Sequence, residues 1–213
     1  FNGSEGSQIF TDVNPALSWT AYGNSQISAE SAAFGGFSAT FDGTGDYIEN
    51  SGGGAGATPG VDEDFTICGW VTPASVTTIR GLAGTRKGSS PQAGWDLYIN
   101  SDASVGFEFI DQTVTYYGFG SGPGKLSNGV RAYIALSKKG RLYRLFVNGI
   151  LVASQTFNVA IYNSPGLSLR YGRLSPNHTS YDYTGRLDDW RVYKGFCLYE
   201  REFVPPTSGF IDL

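Results

Sequence analysis

Short segments of alternating apolar and polar residues recur along this chain at intervals of roughly 8–15 residues, with Gly- and Asn-rich turns between them. The segment Phe65–Thr72 carries apolar groups on both of its faces, which is typical of a central strand. No stretch shows the 3.6-residue apolar period of an amphipathic helix. The pattern therefore predicts an all-β fold, with two antiparallel sheets packed face to face as a sandwich.

The individual strands follow from these alternations and from the turn residues that bound them. Asn148-Gly149 predicts a hairpin, because both positions tolerate positive φ. A second hairpin is predicted around Gly23-Asn24, and only Leu198–Phe203 is compatible with a helical turn. The predicted strands are Leu17–Tyr22, Ser25–Ser28, Phe37–Phe41, Tyr47–Glu49, Phe65–Thr72, Ile79–Thr85, Trp95–Asn100, Val105–Ile110, Thr113–Gly118, Arg131–Ser137, Arg141–Val147, Ile150–Gln155, Gly166–Gly172 and Gly185–Tyr193.

The length of 213 residues suits one large β domain, and no linker or repeat divides it, so residues 1–213 are expected to form a single domain. The net charge is −4 and the basic residues are spread out, which argues against a nucleic-acid partner. No apolar run is long enough to span a membrane. The chain contains no Met, so we expect a processed chain or an excised piece of a longer polypeptide.

Two cysteines, Cys68 and Cys197, stand far apart in the sequence and lack the spacing of a metal knuckle. They form a disulfide only if the fold brings their Cα atoms within about 7 Å, and two free thiols are the alternative. A single histidine, His178, argues against His-dependent catalysis and against a His-rich metal site.

Several short motifs occur in the order that characterises one family. They are Phe10-Thr11-Asp12, Phe34–Gly36 with Phe41–Ile48, Asp64–Val71, Arg144–Ser154 and Gly185–Ser208. In these motifs the chain resembles the laminin G-like, concanavalin A-like jelly rolls, in particular those found in phage structural proteins and bacterial surface proteins. The resemblance covers essentially the whole chain and implies a concanavalin A-like jelly roll. Two residues depart from the pattern: Gly69 stands where a bulky apolar residue is common and could leave a groove or seat a neighbouring ring, and Cys68 stands where a charged residue is common.

The resemblance also implies a structural Ca²⁺ ion, bound by an Asp on a late strand and by an early Gly-rich turn. The matching residues are Asp188 and the turn that contains Asp42, Gly43 and Asp46. Hard cations take such oxygen ligands, and one ion would join two distant parts of the chain. The alternative is that Asp188 caps a turn or pairs with a nearby arginine.

Catalysis is not expected. The related glucanases place carboxylates two residues apart on one strand, where both side chains share a face. Here Asp62-Glu63-Asp64 stands at a strand start, and the side chains of the adjacent pair Asp188-Asp189 should point to opposite faces. No G-x-S-x-G nucleophile motif is present either.

Carbohydrate binding fits better, because lectins of this fold stack sugars on aromatic rings and bind hydroxyl groups with polar side chains. The predicted ligand-binding residues are Trp95, Tyr116, Tyr181, Asp182 and Tyr183. For any one ring, packing between the sheets is the alternative.

We therefore expect a non-enzymatic carbohydrate-binding or adhesion domain of a virion or extracellular surface protein, with a glycan or host-surface polysaccharide as partner. The alternative is a structural subunit or a capsid or fibre decoration protein that assembles without sugar. In that case the segments 1–10 and 203–213 are the expected contacts with neighbouring copies or virion proteins.

Overall fold

The structure is a computed structural model that describes residues 3–14, 16–30 and 32–209. These residues form fourteen β-strands and a single 3-10 turn, Thr179–Tyr181. The all-β prediction is confirmed. Within the described ranges, none of the structure is a helix long and apolar enough to cross a membrane.

The strands form two seven-stranded sheets, and neighbouring strands in both run antiparallel. Sheet A contains, in spatial order, β1 (Thr20–Tyr22), β4 (Tyr47–Asn50), β13 (Leu169–Tyr171), β6 (Arg80–Gly84), β7 (Trp95–Ile99), β8 (Val105–Ile110) and β9 (Tyr116–Gly120). Sheet B contains β12 (Ile150–Thr156), β11 (Leu142–Val147), β10 (Ala132–Lys139), β5 (Phe65–Pro73), β14 (Thr184–Lys194), β3 (Ser38–Asp42) and β2 (Gln26–Ser28).

The main core lies between the sheets. Alternate residues of each strand face inwards, such as Ile67 and Val71 of β5 and Leu97 and Ile99 of β7. Central strands are buried on both faces, so the opposite side of β5 packs into a second, smaller cluster.

This second cluster is covered by the segment that follows β14. Tyr199 and Phe203 stack with ring centroids 3.6 Å apart and pack against Cys68, Tyr133 and Phe146 of sheet B. Leu198–Phe203, the one segment whose sequence was compatible with a helical turn, forms none. The backbone of this segment bonds to the rest of the chain instead, from Leu198 N to Thr66 Oγ1 and from Phe203 N to Gly149 O.

The two predicted hairpins had different outcomes. The hairpin at Asn148-Gly149 is confirmed: both residues have positive φ and join β11 to β12. The hairpin at Gly23-Asn24 is wrong, because β1 pairs with β4 in sheet A and β2 pairs with β3 in sheet B. The turn carries the chain from one sheet to the other, and Asp46 Oδ1 accepts a hydrogen bond from Asn24 N at this corner.

Cys68 and Cys197 are free thiols, so the disulfide alternative is not realised. Cys68 is fully buried beneath the segment that follows β14.

Candidate functional site

A β-bulge interrupts β14. Asp188 lies opposite Trp70 of β5 and Arg191 opposite Cys68, so two residues of β14, Asp189 and Trp190, share the single partner Gly69. A Cβ on Gly69 would lie 2.5 Å from Cγ of Trp190, which shows that the missing side chain makes room for the indole. The expectation that Gly69 seats a neighbouring ring is confirmed. Bulges of this kind re-aim side chains and are frequent beside functional sites.

The bulge places Asp189 in a strained conformation. Its φ is +50°, in the left-handed region that non-glycine residues seldom adopt. Oδ1 lies 3.2 Å from Nε of Arg191, whereas the buried Oδ2 has no hydrogen-bond partner among the described residues. Burial raises the pKa of the Asp189 carboxyl, and the Arg191 guanidinium opposes that rise.

The edge of β14 is open beside this bulge. Strand β3 pairs only with Thr184–Leu187, and beyond that point the edge faces loops. Asp188 anchors one of these loops: its Oδ2 accepts hydrogen bonds from Ala33 N (2.7 Å) and Phe34 N (3.2 Å). The Phe34 ring is thereby held near the bulge.

A second loop, of which residues 10–14 and 16–19 are described, forms the opposite wall. It is closed by a β-bridge between Thr11 and Ser18. Asp12 stiffens it from within, since Oδ1 accepts a hydrogen bond from Asn14 N and Oδ2 accepts one from Trp19 Nε1, both at 2.9 Å. Asp and Asn side chains commonly stabilise turns in this way.

The loop presents Trp19 against sheet A. The Trp19 ring stacks on Tyr171 of β13 with centroids 5.2 Å apart, and Tyr171 lies 5.7 Å from Trp190. Asn50 Nδ2 donates to Ser18 O at 3.1 Å and ties the loop to β4. Three rings from three separate parts of the chain therefore form one aromatic wall.

A cavity of about 630 Å³ lies between these walls. This volume is within the range of small-ligand sites, roughly 300–1,000 Å³. Its aromatic lining comprises Phe10, Trp19, Phe34, Tyr171, Trp190 and Tyr193, and its charged lining comprises Asp12, Asp189 and Arg191. Flat apolar surfaces beside hydrogen-bonding side chains suit a ligand that is apolar on one face and polar at its edge.

The outer face of sheet A carries a second polar surface. Tyr116 of β9 is 49% exposed, and its ring lies 5.2 Å from the guanidinium carbon of Arg86. Arg86 pairs with Glu108 and, at 2.5 Å, with the fully buried Asp96. Burial raises the pKa of Asp96 to about 8, although the Arg86 guanidinium opposes that rise.

Tyr181, also predicted to bind ligand, lies half-buried in the 3-10 turn. Its ring contacts His178 edge-on, with centroids 5.5 Å apart. Burial and then the Arg86 guanidinium lower the pKa of His178. Tyr181 is not among the described residues that line the cavity.

Three predicted ligand residues lie in the interior, and these predictions are corrected. Trp95 is fully buried and donates from Nε1 to Ala57 O at 2.8 Å. Tyr183 is fully buried and donates to Arg186 O at 3.1 Å. Asp182, also fully buried, binds the guanidinium of Arg173 through both oxygens. A sugar has no access to any of these side chains.

The predicted calcium bridge between Asp188 and the early turn does not fit the fold. Thr184 of β14 lies opposite Asp42, which places Asp188 about four residues, or ~13 Å, further along the strand. The carboxylates of the turn accept backbone N–H groups: Asp42 binds Thr44 N (2.7 Å), and Asp46 binds Asn24 N and Asp42 N.

Gly43 lies in the same turn, in a left-handed conformation with φ of +88°. Within the described ranges, no group of three or more His, Cys, Asp or Glu residues could hold a metal ion. Calcium binding stays a prediction, without the geometry that motivated it.

The sequence alone did not indicate that Trp19, Tyr171, Asp189 and Trp190 are neighbours. The signal for the loop was present in Asp12 and Asn14, two turn-forming residues just before Trp19. No local pattern indicated the bulge, because it depends on the pairing of β14 with Gly69.

Comparisons with known proteins agree with the architecture. The binding domain of botulinum neurotoxin serotype G aligns with 88% of this chain and 44% of that chain, at 12% identity and a TM-score of 0.63. The CBM40 module of the Ruminococcus gnavus IT-sialidase, bound to α2,3-sialyllactose, aligns with 67% of this chain and 88% of that chain, at 20% identity and a TM-score of 0.56. A leech intramolecular trans-sialidase aligns with 86% of this chain and 26% of that chain, at 17% identity and a TM-score of 0.57.

Among curated protein sequences, none matches this chain. Residues 42–198, most of the sequence, match the family described as the concanavalin A-like lectin/glucanases superfamily. The chain therefore belongs to the concanavalin A-like lectin/glucanase superfamily.

Proposed function

We propose that this protein is a non-catalytic carbohydrate-binding module and that the cavity beside the β14 bulge receives the sugar. One observation carries the proposal: a single cavity has both an aromatic wall and a carboxylate that is incompletely hydrogen-bonded. The wall contains Trp19 and Tyr171, and the carboxylate belongs to Asp189, whose backbone is strained. The similarity to a sialyllactose-bound module and to toxin binding domains supports a role in recognition at an extracellular surface.

Each part of the cavity has a defined task in this proposal. The partly exposed Trp19 ring stacks on the apolar face of a pyranose, while Asp189 and Asn14 bind hydroxyl groups. Asp12 does not need to contact the sugar, because its oxygens already hold Trp19 and the loop. The loop is thus organised before ligand arrives, which lowers the entropic cost of binding.

Hydrolysis fits the structure less well. The cross-strand pair Asp96 and Glu108 is the arrangement nearest to a glycosidase dyad, because opposed residues on adjacent strands lie ~5 Å apart. Asp96 is fully buried, however, and Arg86 binds both carboxylates. Asp96 therefore cannot protonate a glycosidic oxygen.

The test is binding of the protein to a panel of glycans, followed by titration calorimetry with the strongest ligand, with calcium and then with chelator. We expect Trp19→Ala to weaken binding about tenfold, because a sugar–ring stack contributes roughly 1 kcal/mol or more. An unchanged far-UV spectrum and melting temperature would show that the variant is folded.

Tyr116→Ala is the matched control, since it removes an exposed ring from the outer face of sheet A. Binding should survive this change. If Tyr116→Ala abolishes binding while Trp19→Ala leaves it intact, the sugar binds beside Glu108 and the cavity proposal is wrong. Binding of no glycan by the unaltered protein would refute the module itself.

Assembly without sugar is the second candidate function, favoured by the exposed apolar side chains Ile9, Val13 and Val204. Part of the C-terminal segment 203–213 is not available for such contacts, because Phe203 already packs on sheet B. Residues 1–2 and 210–213 of the two predicted contact segments lie outside the described residues. Self-association in sedimentation experiments, lost in Val204→Asp, would support this alternative.

A further inference from the structure

The charged side chains that line the cavity differ in how fully the protein itself satisfies their hydrogen bonds. Arg191 is the only basic residue in the described lining, and its Nε already lies 3.2 Å from Asp189 Oδ1. Asp189 Oδ2, in contrast, accepts no hydrogen bond from the described residues. The carboxylate of Asp189 is thus incompletely hydrogen-bonded at the cavity wall, so the site favours a ligand that donates hydrogen bonds.

Resting on the proposed function, we propose that this cavity selects neutral sugars and discriminates against sugars that carry a carboxylate. A pyranose hydroxyl donates a charge-assisted hydrogen bond to the Asp189 carboxylate, whose side chain is 12% exposed. A sugar carboxylate offers acceptors only and brings a negative charge towards Asp12 and Asp189, which makes unfavourable like-charge contacts.

Selection of neutral sugars would distinguish this chain from the R. gnavus module. The R. gnavus module was solved with α2,3-sialyllactose, a sugar that bears a carboxylate. An anionic ligand needs an available cation, and here the guanidinium in the cavity is already engaged by a carboxylate of the same strand. The shared fold therefore does not imply a shared ligand.

The experiment compares matched pairs of sugars that differ by one carboxylate: lactose with α2,3-sialyllactose, galactose oligomers with galacturonate oligomers, and glucose oligomers with glucuronate oligomers. For the best-bound pair we expect the neutral member to bind about tenfold more tightly or better at neutral pH and low salt. The preference should shrink as salt is added.

Asp189→Asn is the test variant, because Asn tolerates the left-handed backbone at this position and keeps the fold. It should weaken binding of the neutral sugar and strengthen binding of the acidic sugar. The ratio of the two dissociation constants should therefore move towards one. Glu200→Gln removes the same charge from an exposed site and should leave the ratio unchanged.

The outcomes are distinct. If the unaltered protein binds the acidic member as tightly as the neutral one, or more tightly, the proposed selectivity is wrong but the proposed binding module stands. The same holds if Asp189→Asn does not change the ratio of the two dissociation constants. Binding of no member of any pair refutes the proposed function and this inference with it.

Discussion

Asp182 illustrates how one buried side chain can organise several segments. Its carboxylate binds the Arg173 guanidinium at 2.6 and 2.5 Å and also accepts Gly45 N at 2.8 Å. Its backbone carbonyl accepts a hydrogen bond from Arg80. The residue thus joins the early Gly-rich turn to the segments beside β13 and β6.

We expect Asp182→Ala to lower the free energy of unfolding by about 3–5 kcal/mol, because it leaves the buried Arg173 without a counter-charge. Urea denaturation followed by tryptophan fluorescence measures the change. The double variant Arg173→Met/Asp182→Leu should lower the free energy of unfolding clearly less, since it leaves no buried charge unpaired. A loss below 1 kcal/mol in the single variant would mean that water reaches this pair.

The two halves of strand β14 differ in how they pair with neighbouring strands. Its first half is an ordinary central strand between β5 and β3. Its second half bulges, leaves β3 and forms a wall of the cavity. The change occurs where the Trp190 indole replaces the missing side chain of Gly69.

Gly69→Ala should therefore destabilise the protein by about 1–3 kcal/mol, the usual range for overpacking, because the new methyl group would collide with Trp190. It should also weaken sugar binding by displacing the bulge. Thermal and urea unfolding measure the first effect and calorimetry the second. Gly56→Ala, where an added Cβ meets only ordinary contacts, is the control. Equal stability of the two variants would show that the bulge is easily deformed.

The elements also show what the sequence could predict. Strands such as Val105–Ile110 were predicted correctly because the alternation of large apolar residues along the segment is local information. The Gly23-Asn24 hairpin failed because a turn signal does not reveal whether the next strand stays in the same sheet. Trp95 and Tyr183 failed as ligand residues because ring count does not distinguish interior rings from exposed ones. The cavity required tertiary pairing, which no local pattern encodes.

At the scale of the whole molecule, the outer faces of the two sheets differ. Sheet A exposes Tyr116 and part of Glu108. Sheet B is covered by Tyr199 and Phe203, which enclose Cys68. Burial raises the pKa of the Cys68 thiol to about 12. Since the thiolate is the reactive form, Cys68 reports on whether this cover is closed.

In a Cys197→Ser background, we expect Cys68 to resist thiol reagents until the protein unfolds. Phe203→Ala should accelerate its labelling about tenfold or more, because it removes apolar contacts that hold the cover in place. Val204→Ala, which changes an exposed neighbour in the same segment, should leave the rate unchanged. Rapid labelling of the parent protein would mean that the cover opens readily.

The walls of the cavity have one more consequence, for the order in which this protein is made. Asp12 and Trp19 are synthesised before Tyr171, Asp189 and Trp190, which follow much later in the sequence. Contacts over such sequence separations form late and slowly. A chain synthesised only as far as β13 therefore lacks the cavity, which is complete only after β14 has joined sheet B.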